Sequence, residues 1–218
     1  MTHDLRIKTF TVNFIEENCH VLSDDSGEAV IVDCGAFFDE EREALARYIA
    51  DEGLRPVHLL CTHGHFDHVF GAQFVYDTYG LQPEMAADEL PTYMAAAAQM
   101  RQFLHRDLPL ELPPHGRLLA EGDTVSFGRH TLRAIATPGH TPGGLCYYCE
   151  EEALLLSGDS LFRRAIGRCD LPGGNAGALV DALTRKITGA LPEEVRVLPG
   201  HGPATTVGEE RRENPYLP

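Results

Sequence analysis

The chain has 218 residues, 43% of them hydrophobic, which suits one packed α/β or all-β domain with a sizeable core and excludes a disordered segment. Its formal net charge of −15 argues against nucleic-acid and membrane-surface partners, and an anionic small molecule would be repelled unless a local site reverses the field. Met1 to Phe10 lacks a basic segment followed by an apolar run, and no stretch approaches the roughly eighteen apolar residues of a spanning helix, so a cytoplasmic location is expected.

Three strands are predicted first, Leu5 to Val12, Asn18 to Ser23 and Glu28 to Cys34, the latter two joined by the turn Asp24-Asp25-Ser26-Gly27. Asp39 to Glu52 places Leu45, Ala46, Ile49 and Ala50 among charges and reads as an amphipathic helix closed by Gly53. Pro56 to Thr62 is a short apolar run expected to be a strand buried on both faces. Helices are expected over Val69 to Tyr79, ended by Gly80, and over Pro91 to Arg106, with a proline-rich loop from Asp107 to Gly116. The residues Met94, Met100, Phe103 and Leu104 in this region fit core, a wall of a site or a subunit contact equally.

Strands then recur at Thr124 to Phe127, His130 to Ala136, Gly144 to Cys149 and Ala153 to Leu156. A helix over Ala176 to Leu191, a strand over Val195 to Leu198 and at most one short charged helix beyond Val207 complete the order. Antiparallel hairpins mixed with helices point to layered sheets flanked by helices and not to a doubly wound parallel sheet.

Six cysteines lie mostly in apolar runs, the pattern of buried, reduced thiols. Cys146 and Cys149 have a C-x-x-C spacing, but they fall within a predicted strand with no following helix start to lower a thiol pKa.

Three histidines fall within six residues in Thr62-His63-Gly64-His65-Phe66-Asp67-His68, directly after the apolar strand. In an extended segment residues two apart point the same way, so His63 and His65 can grip one metal ion, while Asp67 and His68 face a displaced point and can grip a second. Downstream, Pro138-Gly139-His140 and Pro199-Gly200-His201 each follow a strand, and Ser157-Gly158-Asp159 places a carboxylate beyond another. His3, His20, His58, His105, His115 and His130 have no such context and are assigned no role.

This set, with Asp33 in Ile31-Val32-Asp33-Cys34-Gly35, resembles the metal-binding motifs of metallo-β-lactamase-fold hydrolases over most of the chain. The resemblance implies a four-layer αββα sandwich with the metal site at the edge between the two sheets, and one domain over residues 1–218. It implies that His63, His65 and His140 hold a first metal, that Asp67, His68 and His201 hold a second, that Asp159 bridges them, and that Asp33 braces the loops without binding metal. Zinc is the expected ion, one or two per chain, with iron or manganese also accommodated.

The segment Gly158 to Arg168 is similar to the glyoxalase II branch, the hydroxyacylglutathione hydrolases, and the short tail resembles bacterial enzymes of that kind without the helical glutathione-binding segment. Paired metals lower the pKa of water from ~15.7 to ~7, so a hydroxide attacks an acyl carbonyl without a serine or cysteine nucleophile, and Asp67 can also orient it. A thiolate of pKa about 8.5 leaves without a strong acid, so a thioester such as S-D-lactoylglutathione is the expected substrate. Arg163 and Arg168 are candidate contacts for its carboxylates, with solvated surface charge as the equal alternative for these and for Arg164.

The rival reading is a mononuclear iron persulfide dioxygenase acting on glutathione persulfide through His63, His140 and Asp159. A metal-binding protein without turnover ranks behind both. Two bound dications would outweigh the two aspartates and reverse the negative field locally, so an anionic glutathione derivative becomes an acceptable ligand.

Overall fold

A computed structural model describes residues 5–105 and 108–218; His3, the expected helix end at Arg106 and the loop start at Asp107 lie outside the described residues. Strands β1 (Arg6–Val12), β2 (Glu17–Ser23) and β3 (Glu28–Val32) pair in antiparallel succession. Helix α1 (Asp39–Asp51) then crosses to β4 (Arg55–Leu60), which lies parallel to β3. Helices α2 (Phe66–Val69) and α3 (Ala72–Tyr79) lead to β5 (Pro83–Ala86), a single 3-10 turn at Ala87–Glu89, α4 (Leu90–Met94), α5 (Ala96–Leu104) and β6 (Leu118–Leu119).

The second sheet begins with the antiparallel strands β7 (Thr124–Phe127), β8 (His130–Ala136), β9 (Leu145–Cys149) and β10 (Leu154–Gly158). A small hairpin of β11 (Leu161–Phe162) and β12 (Ala165–Ile166) follows, then α6 (Ala176–Ala182) continued by a π turn to Thr188. Strand β13 (Arg196–Pro199) pairs parallel to β10, and β14 (Thr205–Thr206) and α7 (Val207–Glu213) close the chain. The sheet orders are β1-β2-β3-β4-β5-β6 and β14-β13-β10-β9-β8-β7.

Strand alternation divides the apolar residues into layers. On β3, Val30 and Val32 face the core between the sheets, while Ala29 and Ile31 face α1, α3 and α5. On β9, Leu145, Tyr147 and Cys149 face the same inter-sheet core, and Cys146 and Tyr148 pack with Leu179, Leu183 and Ile187. Helix, sheet, sheet and helix are therefore four successive layers, the expected αββα sandwich. Cys146 and Cys149 lie on opposite faces of one strand, so this C-x-x-C spacing cannot form a dithiol pair.

The expected helix over Val69 to Tyr79 is broken, and its first turn starts earlier, at Phe66. Gly71 donates its amide to the Cys34 carbonyl at 2.8 Å, and a Cβ at Gly71 would lie 2.6 Å from Cys34 Sγ, so the chain presses against the loop after β3 and leaves the helical ladder there. The Pro91 helix is likewise two helices meeting at Ala95, and the regular α-helix from Ala176 stops at Ala182. Strand β4 is not buried throughout: its entry is exposed at Arg55 and half-buried through His58, which bonds Glu84 at 2.5 Å.

At the end away from the strand-end histidines, Asp24 fastens one sheet to the other. Its carboxylate accepts from the Ser26 amide and hydroxyl at 2.9 and 2.5 Å, the Arg129 amide at 2.8 Å and His130 Nδ1 at 3.3 Å. Burial opposes the charge, but these hydrogen bonds outweigh it and hold the carboxyl down to about 2. Because the folded value lies below the ordinary one, Asp24 stabilises the fold fully above about pH 4. We expect Asp24→Ala to lose about 2–3 kcal/mol at pH 7 in urea unfolding, with the gap to the unsubstituted chain narrowing as pH falls from 4 to 2.

Candidate metal centre

The five motif histidines and both aspartates meet at one edge of the sandwich. His63 and His65 follow β4, Asp67 and His68 lie on α2, His140 is in the β8–β9 loop, Asp159 follows β10 and His201 follows β13. His63, His65 and His140 converge as one ligand group, and Asp67, His68 and His201 as another. Most of this cluster is buried, with His68 fully so.

Asp33, just past β3 and at φ +51 in the left-handed region that aspartate tolerates, organises both groups. Its Oδ1 accepts the Thr62 amide at 2.7 Å, and its Oδ2 accepts the Thr62 hydroxyl at 2.6 Å and His68 Nδ1–H at 3.1 Å. With its proton given to Asp33, the Thr62 hydroxyl accepts from His63 Nδ1 at 3.1 Å. His140 Nδ1 donates to the Arg168 carbonyl at 2.7 Å, and His201 Nδ1 to the Ile15 and Glu16 carbonyls at 3.1 and 3.2 Å. Four imidazoles thus spend their Nδ1 protons on braces, which leaves their Nε2 lone pairs pointing inward. Asp33 also joins a His63–His68 ligand group, but its three hydrogen bonds mark it as a brace.

The separations fit metal ions. His63 Nε2 lies 3.3 Å from His140 Nε2, and His68 Nε2 lies 3.2 Å from His201 Nε2. A tetrahedral ion with bonds of roughly 2.0–2.1 Å holds two nitrogens about 3.3 Å apart, so each pair of lone pairs is spaced for a shared cation. Asp67 Oδ2 lies 3.2 Å from His201 Nε2 and 3.7 Å from His68 Nε2. Asp159 stands between the groups, with Oδ1 3.3 Å from His68 Nε2 and Oδ2 3.7 Å from both His140 Nε2 and His201 Nε2. Its Oδ1 is buried yet makes no hydrogen bond, an orphaned acceptor that a cation would satisfy.

The two groups differ electrically. Burial and the neighbouring imidazoles push His63 far below its ordinary range, and burial with His140 pushes His65 down to about 4. Burial acts the same way on His68 and His201, but the carboxylates of Asp159 and Asp67 overcome it and raise both. Burial would raise Asp67 and Asp159, and His68 and His201 reverse that and hold both carboxyls low. Without an ion, His63 and His65 are therefore neutral donors, while His68 and His201 are drawn toward the charged form, so an ion would displace a proton from them.

Sequence reasoning did not single out Asn13, Glu17, Asn18 or Glu89. Asn13 Nδ2 donates to the Gly35 and Asp67 carbonyls at 3.0 Å, and Asn18 Nδ2 to the Pro199 and Gly202 carbonyls at 3.1 and 2.9 Å, which anchors the His201 turn. Glu17 is fully buried beside His68, and burial raises its carboxyl. The readable signal was the polar run Glu17-Asn18 opening an otherwise core strand. Arg168 contributes chiefly its carbonyl, since its guanidinium grips Asp170 at 2.8 and 2.7 Å. Arg164 is tied by its amide to Glu210 and by its side chain to Glu213, and Arg163 is exposed on the β11–β12 turn.

A sandwich of two sheets with strand-end histidines and aspartates spaced for metal at its edge is the architecture of the metallo-hydrolase fold with a candidate metal site. The chain belongs to the metallo-beta-lactamase superfamily, whose family profile matches residues 12–201. It is 32% identical to "Probable metallo-hydrolase YqgX" of Bacillus subtilis, covering 98% of each chain. It is also 30% identical to hydroxyacylglutathione hydrolase GloC of Haemophilus influenzae, again covering 98% of each. Among solved structures, it superposes on BLEG-1 B3 metallo-beta-lactamase with a TM-score of 0.88 at 36% identity, covering 97% of this chain and 99% of that one. It superposes on TTHA1623 in a di-iron-bound form with a TM-score of 0.84 at 37% identity, covering 96% and 100%.

Removing the Asp33 carboxylate frees Thr62, His63 and His68 together. Asp33→Ala should lower zinc affinity by about 10- to 100-fold, read by competition with a chromophoric chelator, while circular dichroism retains the fold.

Proposed function

We propose that this protein is a metal-dependent thioester hydrolase of the hydroxyacylglutathione type, acting on S-D-lactoylglutathione or a related glutathione thioester. The observation that carries the reading is Asp159, a buried carboxylate within reach of the imidazoles of both ligand groups and with an orphaned oxygen. His63, His65 and His140 would hold one ion and Asp67, His68 and His201 a second, with Asp159 between them. Zinc fits the donor set, and the likeness to TTHA1623 supports iron as the alternative. Likeness to GloC supports the substrate class.

When bound, the ions supply polarisation of the acyl carbonyl and activation of water. The chain supplies the rest. Asp67 faces the same point as His201 and orients the attacking water through its carboxylate. Bracing of four of the five imidazoles at Nδ1 keeps those donors in place, so little reorganisation accompanies the reaction. The thiolate leaving group departs without a protein acid because its pKa is already about 8.5. Arg163 is exposed on the hairpin whose Phe162 ring lies 6.4 Å from the His201 ring, and it is our candidate contact for a glutathione carboxylate. The six free cysteines support a reducing, cytoplasmic setting.

A β-lactam is the second substrate to consider, favoured by the 36% likeness to BLEG-1. The zinc-loaded protein should hydrolyse S-D-lactoylglutathione, and Asp159→Ala should lower kcat by about 10³-fold or more, a loss of roughly 4 kcal/mol in transition-state stabilisation. Hydrolysis of a chromogenic cephalosporin without thioester turnover would overturn the proposal. So would oxygen uptake on glutathione persulfide by an iron-loaded chain, or metal binding with no turnover. Arg163→Ala should raise KM about tenfold with kcat little changed, in steady-state assays with the same thioester.

A further inference from the structure

The three-histidine group draws on both sheets, His63 and His65 on the end of β4 and His140 on the loop after β8. Their lone pairs converge only if those two loops keep a fixed spacing. We propose that Glu89 is the positioning residue that sets this spacing, clamping the His63–His65 loop to the His140 loop through their backbone amides.

Glu89 lies on the 3-10 turn at Ala87–Glu89 and is fully buried. Its Oε1 accepts the amide of Gly64, the residue between His63 and His65, at 2.9 Å. Its Oε2 accepts the amide of Gly143, three residues beyond His140, also at 2.9 Å. One rigid carboxylate therefore bonds a loop of each sheet, one oxygen apiece. A buried carboxylate is costly unless donors meet it, and backbone amides aimed from both loops are such donors.

Packing supports the same role independently. A Cβ at Gly143 would lie 2.4 Å from the Glu89 nitrogen, and one at Gly64 would lie 2.6 Å from the Tyr93 nitrogen. The 3-10 turn thus presses its backbone against the His140 loop and α4, at Tyr93, against the His63–His65 loop, and each contact needs glycine. The region around Pro91 walls this half of the centre: Tyr93 is buried and donates its hydroxyl to the Pro113 carbonyl at 2.7 Å. The Asp67–His68–His201 group has other braces, namely Asp33, Asn13 and the Ile15 and Glu16 carbonyls. Among the described residues no hydrogen bond joins Glu89 to any of these braces, so its effect falls on one half of the centre.

Glutamine at this position keeps the size but presents an NH2 to an N–H donor, so one of the two bonds is lost and replaced by repulsion. The proposal rests on the two-group metal reading and not on the identity of the substrate. It is tested by zinc affinity, measured by chelator competition in two backgrounds, His201→Ala to isolate the three-histidine group and His140→Ala to isolate the other. Glu89→Gln should weaken zinc binding about 10- to 100-fold in the first background and less than about threefold in the second. Equal losses in both backgrounds, or none in either, would overturn it. Failure of the unsubstituted chain to bind zinc would sink it together with the metal reading itself, a result distinct from either pattern. The unsubstituted, metal-free protein supplies a check that needs no variant: the Gly64 and Gly143 amides should exchange with deuterium at least about 100-fold slower than in an open loop, and fast exchange at both would refute the clamp.

Discussion

The carboxylate of Asp33 is the constraint from which the metal centre follows. It sits where β3 ends, accepts the amide and hydroxyl of Thr62 at the end of the adjacent parallel strand, and accepts His68 Nδ1–H from α2. Through the Thr62 hydroxyl it also fixes the tautomer of His63. Two histidines on different elements are thereby turned so that each offers a lone pair to the same interior. Without that anchor, the strand end, the helix and the loop between them would have no common reference.

Buried carboxylates serve this role repeatedly. Glu17 accepts the Gly35 amide, Glu89 accepts the Gly64 and Gly143 amides, and Asp24 fastens the opposite end of the sandwich. Each is taken out of water, and each is compensated by backbone or imidazole N–H groups from a segment distant in sequence. The apolar layers cannot supply that directionality, because burial of Val30, Tyr147 or Leu156 is insensitive to small shifts of a loop, whereas a hydrogen bond or a ligand bond is not. The chain is strongly acidic overall, yet part of that charge stabilises the frame of a site suited to cations.

Much was legible in order of residues. The H-x-H-x-D-H run after an apolar strand and the repeated Pro-Gly-His turns carry their chemistry locally, because two-residue periodicity and tight turns fix where such side chains point. The strands of the antiparallel ladders were readable for the same reason. Less readable were β5, β6, β11, β12 and β14, of two to four residues each, whose pairing comes from neighbours and not from a pattern of their own. The helix breaks at Gly71 and Ala95 were hidden too; Gly71, for one, meets Cys34 in the loop after β3, nearly forty residues earlier.

The sequence by itself therefore determined the donor set, the alternation that separates the core layers and the turns that expose the histidines. Tertiary structure alone decided which nitrogen of His63, His68, His140 and His201 faces inward, and that Arg168 acts on His140 by its carbonyl. It also decided that Asn13, Asn18 and Glu89 hold the loops. The physical reason is range: side-chain direction along a strand repeats over two residues, but a hydrogen bond between Asn18 and Pro199 or Gly202 joins positions at opposite ends of the chain and exists only when both sheets have closed around the site.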